Sequence, residues 1–140
     1  MDNNALATLK SVRIGSDFFR NHCCVSADVL REAEGHPETQ ALESNVLPVT
    51  PEVIEQLRRV MHSVAIGDTR LVDLYKNKGA ADPSLVASLL DARAEGEGQF
   101  LPDVWVLVSN DQAVLDKATE FDFATLSPAG LADLIDAAQV

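Results

Sequence analysis

The chain has 140 residues, of which 46% are hydrophobic and only 5% aromatic, and this predicts one domain, residues 1–140, with an aliphatic core. Its formal net charge of −11 argues against a broad electropositive surface for nucleic acid, although it leaves room for carboxylates that hold a divalent cation. The apolar stretches are too short to span a bilayer, and the acidic start lacks the features of a signal peptide, so we expect a cytoplasmic protein outside the membrane.

The first part of the chain is predicted to alternate short helices and short strands. Helices are predicted over residues 5–11 and 17–22, a strand over residues 23–25, a helix capped by Ser26, and a strand over residues 46–49. A strong helix start follows, because the Thr50 hydroxyl can cap the helix and Pro51 takes the first helical position. Apolar side chains then recur every three or four residues up to Val64, which indicates one buried helix face that ends before Gly67.

The adjacent cysteines, Cys23 and Cys24, fall in the first predicted strand. Neighbouring cysteines rarely form a structural disulfide, and no His or Cys lies at zinc-ligand spacing from them. We therefore interpret both as small apolar residues of a buried strand.

The second part of the chain continues the alternation. Helices are predicted over residues 69–78, from Asp82-Pro83 to the glycines at 96 and 98, over residues 111–120 and from Ser127-Pro128 onward, with strands over residues 104–108 and 123–126. The strand at residues 104–108 is apolar at every position, which is typical of a parallel sheet covered on both faces. The alternation predicts a three-layer α/β/α domain with a mostly parallel sheet.

Acidic residues stand near the starts of four predicted helices. Asp2, Asp82 and Asp111 are at such starts, and Glu32 lies about one turn into its helix, beside the apolar face. Taken singly, each acid is explained as a helix cap or a surface residue. As a set they point to the carboxyl edge of an open sheet, where converging carboxylates repel one another unless a divalent cation neutralises them. Ligands that are all oxygen select Mg²⁺ or Mn²⁺.

Four short motifs occur in order along the chain. They are D-N-N-A-L from Asp2, V-L-R-E ending at Glu32, G-A-A-D-P around Asp82 and V-S-N-D ending at Asp111. Together with L-S-P-A at residues 126–129, they resemble the ordered acidic motifs of the PIN-domain family, over essentially the whole chain. The resemblance implies a sheet of about five strands and a metal-dependent endoribonuclease.

Matched residue by residue, the resemblance also implies a site and partners. The catalytic and metal-binding acids would be Asp2, Glu32, Asp82 and Asp111, with Mg²⁺ or Mn²⁺ as cofactor. Asn4 and Ser109 match supporting polar positions of the family. RNA would be the substrate, the protein would be a homodimer, and members that are VapC-type toxins pair with an antitoxin protein.

Contacts to the RNA phosphates need basic side chains near the acids. Lys76 and Lys78 are the best candidates, because Gly79 brings them towards Asp82 along the chain. Solvated surface charge is the simpler explanation of the other basic residues.

One feature departs from the family pattern, in which the first acid ends a central strand. That first strand is missing before Asp2, and its loss would leave two open sheet edges. We expect the strand to be encoded upstream of Met1, and we expect Asp2 to lie between the segments at residues 23–25 and 104–109.

Two other interpretations stay beside the ribonuclease. The first is a catalytically inactive PIN-like module for protein interaction, which the acidity and the missing strand favour. The second is a phosphoacceptor receiver domain. It fits poorly, since the strand at residues 46–49 is followed by Thr50-Pro51 rather than an acceptor Asp, and no Lys follows the strand at residues 123–126.

Overall fold

The computed structural model describes residues 1–35, 39–72 and 82–139, and its fold is mixed α/β with helices predominating. The helices are α1 (Asn3–Ile14), α2 (Asp17–His22), α3 (Ala27–Glu32), α4 (Thr39–Leu42), α5 (Pro51–His62), α6 (Asp82–Glu95), α7 (Gln112–Glu120) and α8 (Pro128–Ala138), with a 3₁₀ turn at Glu43–Asn45. The strands are β1 (Val25–Ser26), β2 (Val46–Leu47), β3 (Val106–Val108) and β4 (Ala124–Leu126). In the described part of the chain they form two parallel pairs, β1 with β2 and β3 with β4.

The chain divides into two compact units, each with its own hydrophobic core. The first unit comprises Met1–Pro48, Val108–Asn110 and Leu126–Val140, and the second comprises Val49–Leu107 and Asp111–Thr125. Strands β3 and β4 therefore contribute residues to both units. The single domain over residues 1–140 stays a prediction.

The core of the first unit is largely aliphatic, as the composition predicts. Helix α1 packs against α8, and Leu9, Phe19, Leu42 and Ile135 are completely buried. Asp136 accepts hydrogen bonds from Nε and Nη2 of Arg13 at 2.9 and 2.8 Å. Because this ion pair is partly exposed, we expect it to contribute little to stability.

A buried asparagine ties the end of α2 to the first strand pair. The Nδ2 atom of Asn45 donates to the carbonyl oxygens of Arg20 at 3.0 Å and Cys23 at 2.8 Å. Such carbonyls lack helical partners at a helix end, so the amide supplies the missing donor. The next residue, Val46, pairs with Val25 in the parallel ladder. Asn45 and the ladder thus hold the same two segments together.

The second unit is built mainly on the packing of α5 against α6. The predicted start of α5 is confirmed, since the Thr50 hydroxyl accepts the N–H of Val53 at 3.2 Å and Pro51 begins the helix. Helix α6 buries residues on all of its faces, which include Leu85, Val86, Ala87, Leu89 and Leu90. Because no face of this helix is left to solvent, the sequence from Leu85 to Leu90 is apolar at every position except Ser88.

Two predictions about these elements are wrong in the described residues. Residues 69–72 are not helical, because the side chain of Asp68 accepts the backbone N–H of Arg70 at 3.0 Å and holds the chain in a turn. The rest of that predicted helix, residues 73–78, lies outside the described residues. The strand predicted over residues 104–108 begins only at Val106, and Val104 is 86% exposed. The other three strands are shorter than predicted or shifted by one or two residues.

A buried hydroxyl on α6 gives the first testable prediction. Ser88 is 3% exposed, and its Oγ has no hydrogen-bond partner among the described residues. We expect Ser88→Ala to raise the free energy of unfolding by about 1–2 kcal/mol, since it removes an unsatisfied polar atom and improves helix propensity. Chemical denaturation measures this, with Ser84→Ala on the same helix as the control for propensity alone. A loss of stability in Ser88→Ala would show that the hydroxyl is satisfied in solution.

A strained backbone position in α1 gives the second prediction. Lys10 has φ 63° and ψ 157°, and it breaks the helical geometry inside α1. This region is populated almost only by glycine, and occupying it costs another residue about 1–3 kcal/mol. We therefore expect Lys10→Gly to stabilise the protein by about 1 kcal/mol, because part of the gain is lost to the freer unfolded chain. Lys10→Ala is the matched control and should give no gain. Equal effects of the two variants would exclude strain at this position.

Candidate functional site

The first two residues of the chain bridge two segments of the first unit. The amino nitrogen of Met1 donates to the carbonyl of Cys24 at 3.2 Å, and the backbone N–H of Asp2 donates to the carbonyl of Val108 at 3.3 Å. Burial lowers the pKa of the Met1 amino group. Asp2 therefore lies between the segments that contain β1 and the end of β3, which is the position expected from the sequence.

The carboxylate of Asp2 is buried and uses both of its oxygens. Oδ1 accepts the backbone N–H of Ala5 at 2.7 Å, which caps α1, and Oδ2 accepts a hydrogen bond from the hydroxyl of Ser109. Asp2 is 8% exposed and Ser109 is completely buried. Ser109 is held in turn, because its backbone N–H donates to the carbonyl of Leu126 at 3.2 Å. The first unit therefore fixes one of the predicted acids together with its predicted supporting hydroxyl.

The other three predicted acids stand at helix ends. Glu32 is the exposed last residue of α3 in the first unit. Asp82 is the half-buried first residue of α6 in the second unit. Asp111 caps α7 in the second unit, and its Oδ1 accepts the N–H groups of Ala113 at 2.9 Å and Val114 at 3.3 Å. The capping roles expected for Asp2 and Asp111 taken singly are thus confirmed.

The metal site that joins these acids stays a prediction. Within residues 1–35, 39–72 and 82–139, no three His, Cys, Asp or Glu side chains are grouped so that they could hold a metal ion. The supporting residue Asn4 is exposed on α1, and its backbone carbonyl accepts the hydroxyl of Thr8 at 2.9 Å. The predicted phosphate contacts, Lys76 and Lys78, lie outside the described residues. Among the helices that the structure describes, none has the length and apolarity to cross a membrane.

Charged side chains around residues 68–70 and 117–120 form ion pairs with one another. Arg70 donates to both carboxylate oxygens of Asp68 and lowers the pKa of that carboxyl to about 2. Lys117 donates to Glu120 at 2.6 Å and to the Ser63 hydroxyl at 3.1 Å. The four charged residues Asp68, Arg70, Lys117 and Glu120 border a cavity of about 60 Å³ in the second unit. Because the charges are satisfied internally, the contacts indicate a structural role.

A larger groove in the second unit is the feature that the sequence analysis missed. Its volume is about 490 Å³, and its lining includes Trp105 and Phe123 together with the carboxylates of Glu97, Asp103 and Asp122. The sequence pattern predicted a buried strand at residues 104 and 105, and it predicted no role for the acids beside them. The available signal was the run F-L-P-D-V-W at residues 100–105, where a charge interrupts apolar residues after a glycine-rich turn.

Comparison with known proteins gives no relative on which to base a function. No protein-family model, curated protein or solved structure matches the chain. The function proposed below is therefore argued from the acidic motifs and from the contacts of Asp2.

The contacts of Asp2 generate the third prediction. Asp2→Ala removes a helix cap and leaves the buried Ser109 hydroxyl without its acceptor, so we expect a loss of about 2 kcal/mol in the free energy of unfolding. Asp2→Asn should cost less than about 1 kcal/mol, because an amide oxygen caps a helix about as well as a carboxylate oxygen does.

A double-mutant cycle with Ser109→Ala separates the two contacts. We expect Asp2 and Ser109 to be coupled by about 1 kcal/mol, which denaturation of the two single variants and the double variant measures. Strictly additive losses would show that the hydrogen bond between them contributes nothing to stability.

Proposed function

We propose that this protein is a PIN-like, Mg²⁺- or Mn²⁺-dependent endoribonuclease. One observation carries the proposal. Asp2, the first acid of the family pattern, lies between the segments of β1 and β3 and accepts a hydrogen bond from Ser109, the hydroxyl residue of the last motif. Residues of two motifs that are 107 positions apart in the sequence are thus in direct contact, and this contact supports the proposal. The contact supports the proposed PIN-like sheet order, in which the first acid lies between the segments at residues 23–25 and 104–109.

The donor chemistry of the proposed residues fits the cofactor. Asp2, Glu32, Asp82 and Asp111 offer only carboxylate oxygens, which hard divalent ions prefer. Each oxygen of Asp2 accepts one hydrogen bond from a neutral donor, and a carboxylate oxygen has two lone pairs, so one on each remains for an ion. When bound, the ion supplies positive charge to a phosphodiester and makes water a better nucleophile.

The chain's own residues would hold and orient the reacting groups. Ser109 and Ala5 fix the carboxylate of Asp2 before any ligand arrives, which is the role of supporting residues in a preorganised site. Asp82 and Asp111 stand at the starts of α6 and α7, where the positive end of the helix dipole favours anions. Lys76 and Lys78 would contact the RNA backbone. We propose a cytoplasmic homodimer, with an antitoxin protein as partner if the protein is a toxin.

A second function is favoured by a specific observation. Asp2 and Asp111 both cap helices through their side chains, so their presence has a structural explanation that needs no metal. An inactive PIN-like module that binds another protein would keep these acids for the same reason. Under this alternative Mn²⁺ should not stabilise the protein.

The fourth prediction tests the ribonuclease directly. Purified protein should cleave single-stranded RNA with Mn²⁺ or Mg²⁺ and not with chelator, and Asp82→Asn should reduce the rate by about 100-fold, because a ligand carboxylate is lost. Asp133→Asn, an exposed acid on α8, is the matched control and should cleave at the wild-type rate. Gel analysis of a labelled RNA gives the rates.

Two results would contradict the proposal. Cleavage that survives chelator or the Asp82→Asn substitution would come from another mechanism or a contaminant. No cleavage by the wild-type protein, combined with no rise in its melting temperature with Mn²⁺, would favour the inactive module.

A further inference from the structure

The second unit exposes apolar side chains in the segment of the chain that lines its groove. Phe100 is 98% exposed, Leu101 is 81% exposed and Val104 is 86% exposed, and Val104 itself lines the groove. Exposed apolar side chains cost free energy in water, and where several occur beside a groove they commonly mark a place where another molecule binds.

The groove also carries negative charge that the described residues leave unbalanced. Glu97, Asp103 and Asp122 line it and are exposed, and none of the three forms an ion pair within the described chain. Among the described residues that line the groove, Arg93 is the one basic residue. Its Nη1 donates to the carbonyl of Phe121 at 2.8 Å, and its guanidinium lies 4.2 Å from the centre of the Phe123 ring. Arg93 is therefore committed to an aromatic face and a backbone oxygen.

We propose that this groove, formed around Trp105 and rimmed by Glu97, Asp103 and Asp122, binds a basic peptide segment of a partner protein. Apolar side chains of the segment would pack against Val104 and Trp105, and its Lys or Arg groups would face the three carboxylates. The lining of the groove therefore favours a segment in which basic and apolar residues alternate.

Charge complementarity decides against the other occupants. A second copy of this chain would bring another set of the same three carboxylates and a further net charge of −11, so the two faces would repel. The phosphates of RNA would meet the same repulsion. A basic segment is attracted both by the three carboxylates and by the negative net charge of the whole protein. The inference does not rest on the ribonuclease, since none of these residues belongs to its proposed site.

The chain offers a direct signal for binding. Trp105 is its only tryptophan, so the intrinsic fluorescence reports the environment of the groove. The fifth prediction uses two synthetic probes that contain no tryptophan. Acetyl-KLRKLR-amide carries both features of the proposed ligand, and acetyl-QLQQLQ-amide keeps its apolar residues without the charge. We expect the basic peptide to change the Trp105 fluorescence with an affinity that falls as salt is added, and the neutral peptide to bind about tenfold more weakly.

Variants test the two features of the groove separately. The double variant Asp103→Asn/Asp122→Asn should weaken binding of the basic peptide about tenfold and leave the neutral peptide unchanged. The double variant Glu43→Gln/Asp133→Asn makes the same change in net charge on exposed acids elsewhere and should bind like the wild type. Val104→Ser should weaken both peptides, and it should fold normally because this side chain is already in solvent.

Three outcomes would overturn the inference. The first two are equal binding of the two peptides and unchanged affinity of the basic peptide for Asp103→Asn/Asp122→Asn. The third is self-association of the protein, detected by sedimentation, that changes the Trp105 fluorescence in the same samples. The last outcome would identify a second copy as the occupant.

Discussion

The first unit depends on how Asp2 is held, because this one residue connects three segments that are distant in sequence. Its backbone N–H donates to Val108, its carbonyl accepts the N–H of Leu6 at 3.0 Å, and its carboxylate caps α1 and accepts the Ser109 hydroxyl. Burying a carboxylate is costly unless each oxygen has a donor, and here each does. The start of α1, the end of β3 and, through Ser109, the end of β4 are therefore positioned by one side chain.

Much of the local structure was predictable, because helix capping depends on a few neighbouring residues. The starts of α5 at Thr50 and of α8 at Ser127 were expected from a hydroxyl followed by proline, and both caps are present. The length and pairing of the strands were not predictable in the same way. An apolar run shows that a segment is fit for burial, but the partner that would cover it is remote in sequence. Residues 104–107 show the difference, since Val104 and Val106 are exposed while Leu107 is buried.

The candidate site shows the same limit. The sequence placed Asp2 between the segments at residues 23–25 and 104–109, and in the structure Asp2 accepts a hydrogen bond from Ser109 at the end of the second segment. It also placed Glu32 beside the apolar face of its helix, yet Glu32 ends α3 and faces solvent. Position along a helix of only six residues does not determine which way the last side chain points, because the helix ends before its apolar face can repeat. The groove in the second unit was missed for a related reason, since concave surfaces arise from packing.

The acids of this protein serve different physical purposes, although they contribute alike to its net charge. Asp2 and Asp111 satisfy backbone N–H groups, Asp68 and Asp136 accept from arginines, and the acids of the groove make no such contacts in the described chain. A carboxylate that is ion-paired with an arginine offers little to a ligand, while one without an ion pair can be used in recognition.

The two cysteines have a consequence for studying how this chain moves. Cys23 is buried in the first unit, and burial raises the pKa of its thiol to about 11, so at neutral pH it is neither accessible nor present as the reactive thiolate. An alkylating reagent can therefore reach it only when the segment around β1 opens. The rate at which Cys23 is alkylated would thus measure local opening of the first unit. Opening of the second unit does not contribute, because its described residues contain no cysteine.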